Sequence, residues 1–205
     1  MRPGPASKKP GVYVIGIAGP SGSGKTTLAQ ALARESGAVI FALDAYYRDQ
    51  RHLSEDEIEV DVPEAIEAVL AAEHLRTLIA GRTVDQPVYD FATHTRTDRT
   101  ISLAPGAIIV VEGLFALYWE ELRGLMHTRA FIALDHDECL RRRAARDVRD
   151  RGRSQGEVVA MYERKVRPMY DVHVDPTREF ADLVLDGRAP IHELARTLLA
   201  TRPAT

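Results

Sequence analysis

The chain has 205 residues, with 27 Lys plus Arg against 30 Asp plus Glu, a net charge of −3. At 45% hydrophobic and 28% charged its composition is that of an ordinary globular protein, and a domain of this length buries roughly 70% of the surface its unfolded chain exposes. The near-neutral balance excludes a protein whose whole surface grips nucleic acid. The single cysteine, Cys139, excludes an internal disulfide framework and points to an intracellular, cytoplasmic protein. The longest apolar run, Val12 to Ala18, is too short to cross a membrane.

Residues 1–10 carry basic residues and prolines with no apolar leader after them, and read as a flexible tail ahead of a single domain over 11–205. Val12 to Ala18 is β-branched and continuously apolar, which predicts a strand buried on both faces. A glycine-rich stretch follows, then a helix over Thr27–Glu35 and a second short apolar run, Ala38–Leu43. Asp44 to Val62 is charged and aromatic without a clear period, predicting loops and a short helix. Pro63 to Ile79 reads as one helix, with proline at its first position and Gly81 just past its end. Thr83–Asp90 and Thr100–Leu103 read as strands of a hairpin spanning about 83–103. Ala107–Glu112 and Arg129–Leu134 are further buried strands. Asp137–Arg151 is a basic helix ended by Gly152, and Gln155–Tyr170 a helix interrupted near Pro168. Leu183–Leu185 is short and apolar, and Ile191–Ala200 is the last helix. This alternation predicts an α/β fold, a parallel sheet flanked by helices.

Residues 19–26 read Gly-Pro-Ser-Gly-Ser-Gly-Lys-Thr, which fits G-x-x-x-x-G-K-[ST]. Glycines allow a tight loop whose N–H groups turn inward, and those donors bind phosphate with the N-terminus of the next helix. Gly19, Ser21, Gly22, Ser23, Gly24, Lys25, Thr26 and Thr27 are therefore the candidate nucleotide-binding set. Lys25 would reach the β- and γ-phosphates, and the Thr26 hydroxyl would hold Mg²⁺. The bland alternative, a flexible turn, does not explain the buried strand before the motif and the helix after it. Glu112 closes a buried strand just before Gly113, where packing explains a carboxylate poorly; it is a second candidate for Mg²⁺, with helix capping as the alternative.

Several further segments occur in order: Leu43-Asp-Ala-Tyr-Tyr-Arg48, Asp61-Val-Pro63, Pro87-Val-Tyr-Asp-Phe91 with Thr93-His-Thr-Arg96, Glu112-Gly113, Arg142 to Arg153, and Arg167-Pro168 with Phe180-Ala-Asp182. With these the sequence resembles the uridine (uridine–cytidine) kinase family of P-loop kinases over about residues 12–186. The resemblance implies a P-loop NTPase fold with an inserted β-hairpin and a helical lid over about 137–160. It implies transfer of the γ-phosphoryl group of ATP or GTP to the 5′-hydroxyl of uridine or cytidine, with Mg²⁺ as cofactor, in pyrimidine salvage. Relatives often assemble as tetramers, so a homo-oligomer is implied, with no nucleic-acid or membrane partner.

The resemblance also assigns residues. Asp44 would be the base that takes the hydroxyl proton and would join Thr26 and Glu112 at the metal, while Lys25, Arg146 and Arg151 would face the phosphates. Tyr47 would lie near the substrate and Asp61 would hold the ribose hydroxyls. It makes Tyr89 and His94 base contacts, and strand alternation, which puts Tyr89 and Phe91 on one face, gives an aromatic wall for a flat base. Arg143 and Arg153 would face the nucleoside. The alternatives from the residues themselves are local: caps for Asp44 and Asp61, core packing for the aromatic residues, a solvated charged face for the arginines.

Residues 141–153 hold seven arginines and two aspartates, a local net charge of 7 − 2 = +5, and Arg142, Arg146, Arg149 and Arg153 recur at helical spacing. Two features depart from the family. Met161 stands where relatives carry a base-contacting glutamine, and a thioether cannot offer an amide's donor and acceptor. Asp186–Pro190 differs from the relatives' loop near the donor's base, which leaves ATP against GTP open. The rival readings are a related P-loop kinase acting on another small alcohol, such as pantothenate or phosphoribulose, and a non-catalytic nucleotide-binding regulator. The second would have no need to keep Lys25, Thr26, Asp44 and Glu112 together.

Overall fold

The computed structural model describes residues 11–53, 58 and 61–203. The expected tail over 1–10 lies outside them, as do residues 54–57, 59 and 60 of the segment expected to hold loops and a short helix. The first strand, β1 (Tyr13–Ala18), leads into α1 (Lys25–Ser36) and β2 (Val39–Ala42). After α2 (Ala68–Ile79) come β3 (Val84–Asp90), β4 (Thr95–Leu103), β5 (Ile108–Glu112), α3 (Glu120–Arg123) and β6 (Thr128–Ala133). The basic helix α4 (His136–Arg151) is followed by α5 (Gln155–Met161), α6 (Arg167–Met169), β7 (Leu183–Asp186) and α7 (Ile191–Leu199).

Five strands form one parallel sheet in the order β2-β5-β1-β6-β7, with β1 in the middle. Every residue of β1 is buried, which is why its sequence is apolar throughout rather than alternating. Ile15 and Ile17 pack with Leu28 and Leu32 of α1 and Leu194 and Leu198 of α7. Val14 and Ala18 point to the other face, toward Leu75 and Leu78 of α2, Phe115 and Leu122. The predicted α/β architecture is thus realised with helices on both faces. No helix among the described residues is long and apolar enough to cross a membrane.

Three expected boundaries move. The single helix expected over Pro63–Ile79 is instead a 3₁₀ turn, Pro63–Ala65, a break, and then α2. The break follows from tertiary pairing. Ile66 forms a bridge with Tyr47, Arg48 N–H donates to Ala65 O, and Glu67 N–H donates to Tyr46 O. Strand β4 begins at Thr95, not Thr100, and pairs antiparallel with β3 in a separate two-stranded sheet. Near Pro168 the winding widens instead of stopping. Wide π-type turns at Tyr162–Val166 and Tyr170–Val174 flank α6, whose first turn accommodates the proline's missing N–H. Asp175–Phe180 then tightens into a 3₁₀ segment.

Candidate active site

The C-terminal ends of β1, β2 and β5 converge on one cavity of about 380 Å³, the edge at which open parallel sheets hold ligands. β1 runs directly into the glycine loop. Gly22 and Gly24 have φ of 88° and 100°, in the left-handed region that favours glycine. A Cβ at Gly22 would lie 2.6 Å from the Cys139 carbonyl of α4, so only glycine lets the loop pass beneath that helix. The start of α1 has no side-chain cap and no acid in its first turn. Its free N–H groups are available to an anion. Lys25 is buried and donates to the Gly19 and Pro20 carbonyls at 2.9 and 2.8 Å. Ser23 Oγ is buried with no hydrogen-bond partner among the described residues.

Two carboxylates face this loop. Glu112 closes β5, and Asp44 sits in the 3₁₀ turn Leu43–Tyr46 that follows β2. Thr26 Oγ1 donates to Glu112 Oε1 at 3.1 Å. Burial raises the Glu112 carboxyl to about 7; nearby Asp44 adds to the shift, and Lys25 and the Thr26 hydroxyl oppose it. Asp44 is also pushed up by burial, against the pull of Lys25. Lys25 in turn is lowered by burial, while both carboxylates work to keep it charged. Each of these groups is costly to bury alone and less so together. A hydroxyl and two carboxylates make an incomplete oxygen set, which suits Mg²⁺, a cation that takes phosphate oxygens and waters for its remaining positions. No closed cage of three or more His, Cys, Asp or Glu exists among the described residues.

The opposite wall is aromatic. Tyr47, Tyr89 and Phe91 form a mutual cluster with ring centroids 4.9 to 5.5 Å apart. Tyr89 Oη is buried without a partner among the described residues. Asp61 and His94 line the same wall. They are the two non-glycine residues with positive φ among the described residues, at 60° and 52°. Side chains held in that region mark positions where local comfort has yielded to another demand. Burial and then Arg153 lower the His94 pKa, so its imidazole is neutral near pH 7. Arg153 Nη2 donates to His94 Nε2 at 3.3 Å. A guanidinium only donates, so the His94 proton resides on Nδ1.

Arginines on and just after α4 also line the cavity. Helical spacing singled out Arg142, Arg146, Arg149 and Arg153, but the buried face of α4 is Cys139, Arg143 and Asp147. Arg143 Nη1 donates to Ser21 Oγ at 2.8 Å and to Asp61 Oδ2 at 3.2 Å, tying the glycine loop to the opposite wall. The Arg151 guanidinium lies 4.5 Å from the centroid of the Phe91 ring. Helix α4 stops at Gly152, in the left-handed conformation, and Ser154 starts α5 with a reciprocal capping box to Glu157.

Of the residues singled out in the sequence, Ser21, Gly22, Gly24, Lys25, Thr26, Thr27, Asp44, Tyr47, Asp61, Tyr89, Phe91, His94, Glu112, Arg143, Arg146, Arg151 and Arg153 line the one cavity. Gly19, Ser23 and Met161 are not among its lining residues; Met161 Sδ accepts from Arg153 Nη1 at 3.1 Å. Leu114, Arg142, Arg149 and Ile191 also line it. The two arginines belong to the charged run already noted. Leu114 and Ile191 carry no local signal, because chain reversal after β5 and the packing of α7 bring them there.

The model of the phosphoribulokinase / uridine kinase family matches residues 14–194. The chain belongs to this family. It is 41% identical over 178 residues to the uridine kinase of Staphylococcus aureus (strain JH9), covering 84% of this chain and 86% of that protein. Among solved structures, the phosphoribulokinase of Rhodobacter spheroides matches with a TM-score of 0.62 at 18% identity, over 89% of this chain and 75% of that one. The D-glycerate 3-kinase of Cryptococcus neoformans matches with a TM-score of 0.62 at 17% identity, over 84% of this chain and 82% of that one. At these identities the two structures show the shared fold. As a member of this family the chain is a kinase, a phosphotransferase on a P-loop α/β fold.

Proposed function

We propose that this family member transfers the γ-phosphoryl group of ATP or GTP to the 5′-hydroxyl of a pyrimidine ribonucleoside, uridine or cytidine, giving the monophosphate in pyrimidine salvage. One observation carries the reading. The glycine loop and a wall of Tyr89, Phe91, His94 and Asp61 line a single cavity, with Asp44 and the lid arginines in the same lining. A flat base suits the aromatic rings, and a carboxylate is the natural acceptor for a vicinal diol. The 41% identity to a protein named uridine kinase supports the same substrate class.

In this reading Asp44 accepts the proton of the attacking hydroxyl. Its burial keeps it more basic than an exposed aspartate. Thr26 and Glu112, with Asp44, would hold Mg²⁺, which when bound supplies charge stabilisation at the phosphates. Lys25, Arg146 and Arg151 bind and neutralise the triphosphate. Asp61, Tyr47, Tyr89, Phe91, His94, Arg143 and Arg153 orient the nucleoside, and the closed lid excludes water, the competing acceptor. Met161 Sδ accepts from Arg153 Nη1, so it would act on the nucleoside through that arginine.

A panel of ribonucleosides, deoxyribonucleosides and small alcohols, each with ATP and read as ADP release, tests the assignment. Turnover of uridine or cytidine well above the deoxynucleosides is expected, because loss of the 2′-hydroxyl leaves the Asp61 carboxylate short of a donor. Turnover of another alcohol and of no ribonucleoside would overturn it.

A further inference from the structure

Asp147 is the fully buried carboxylate on the lid helix, with four guanidiniums within 4 Å of it. Its two oxygens are not equivalent. Oδ1 accepts from Arg146 Nε at 2.8 Å and has Arg151 Nη1 at 3.4 Å. Oδ2 has Arg143 Nε at 3.5 Å and Arg153 Nη1 at 3.9 Å. Oδ2 and Arg143 Nε have no hydrogen-bond partner among the described residues. Its backbone takes part as well. Gly152 N–H and Arg153 N–H both donate to Asp147 O, fixing the turn that carries Arg151 and Arg153.

A structural ion pair needs one cation; here one carboxylate serves four. With Asp61 included, the cluster of Arg143, Arg146, Arg151 and Arg153 around Asp147 keeps a surplus of 4 − 2 = +2, and the four arginines and Asp61 line the cavity. The division between the oxygens follows function. Oδ1 holds the pair assigned above to the triphosphate, and Oδ2 faces the pair assigned to the nucleoside. On the Oδ1 side the Arg146 hydrogen bond is formed, and Arg151 is held as an ion pair. The Oδ2 side is loose, with polar atoms facing each other just beyond hydrogen-bond length.

We infer that Asp147 is a positioning residue that couples the two substrates' binding. The inference rests on the functional reading above. When a triphosphate draws Arg146 and Arg151 toward its oxygens, the carboxylate loses partners on one side. It then takes up Arg143 and Arg153 on the other, in the geometry the nucleoside meets. By linkage the nucleoside strengthens triphosphate binding by the same factor.

Calorimetry with the full chain tests this, titrating Mg²⁺ with β,γ-imido-ATP into protein with and without saturating uridine. In the wild-type protein uridine is expected to lower the Kd of the triphosphate analogue by about 5-fold or more. Asp147→Asn keeps the shape but turns one oxygen into a donor facing guanidiniums. It should bring the coupling factor to about 1, raise both KM values and lower kcat. Asp150→Asn, one turn position away in an exposed pair with Arg149, should leave coupling and turnover unchanged. If Asp147→Asn does not fold, Asp147→Glu keeps the charge, displaces the oxygens and should also lose coupling. A coupling factor of 1 in the wild-type protein overturns the inference, as does wild-type coupling in a folded Asp147 variant. If neither uridine nor cytidine binds or is phosphorylated, the functional reading is overturned, whereas turnover of either with no coupling overturns only the role of Asp147.

Discussion

β1 and α4 both bury a face, and they do it with opposite chemistry. β1 buries apolar side chains between two layers of helices, so its stability comes from removing them from water and is complete without any ligand. α4 buries Arg143 and Asp147 and crowds Arg146, Arg151 and Arg153 around them. That face is over-supplied with positive charge. The sheet's packing is therefore complete in itself, while the α4 face keeps an excess of positive charge that, in the proposed reading, a triphosphate would meet. In that reading stability resides in one region and recognition in the other, joined where the glycine loop passes under Cys139 and Arg143.

Four measurements break or sharpen that division. Asp44 stands where the two regions meet, and the largest effect is expected there. Asp44→Asn should lower turnover by about 10²–10⁴-fold while calorimetry finds triphosphate binding largely intact. Near-normal turnover would remove Asp44 from the chemistry. In the sheet, Phe131→Ala should cost about 3–5 kcal/mol in denaturant unfolding, with kcat per folded molecule little changed. A large kcat loss at full folding would show that the sheet does more than support.

The lid should behave in the reverse sense. Burial and then Arg146 lower the Arg151 pKa to about 10, so its charge is disfavoured in the ligand-free fold. Arg151→Met should raise the Tm of the ligand-free protein and lower turnover by about 10²-fold or more. A lower Tm would mean that Asp147 and the Phe91 ring hold Arg151 more firmly than Arg146 repels it.

The smallest effect concerns pH. The folded protein holds the Glu112 proton up to about pH 7, while the unfolded chain releases it near the ordinary glutamate value of 4.5. The folded state binds more protons in that window, so Glu112 makes stability fall as pH rises through it. Glu112→Gln should therefore raise Tm at pH 8 relative to the wild-type protein and change it little at pH 4. An equal shift at both values would rule out ionisation as the cause.

Much of the site is legible in local order. The buried strand, glycine loop and helix are consecutive, so hydrophobic pattern and spacing place Lys25 and Thr26 without knowledge of the rest. Asp44 and Glu112 are readable because each follows a short apolar run, and carboxylates at strand ends are hard to explain by packing. The helix expected over Pro63–Ile79 is broken by contacts that local pattern does not contain: the bridge to Tyr47, and Arg48 and Arg96, which both ion-pair with Glu67. The early start of β4 is hidden because Thr95 to Arg99 is polar on both faces, so no alternation announces a strand.

The sequence by itself determined the phosphate cradle, the alternation of buried strands with helices and the stock of charged side chains along 141–153, because these depend on neighbours within a few residues. Only the tertiary structure decided which arginines turn inward. Seven arginines at three- and four-residue spacings outline several helix faces at once, and local period cannot choose between them. The choice is made by Ser21 and Asp61, 122 and 82 residues away from Arg143 in the chain. Electrostatic energy in a buried site depends on distances that only the folded chain sets.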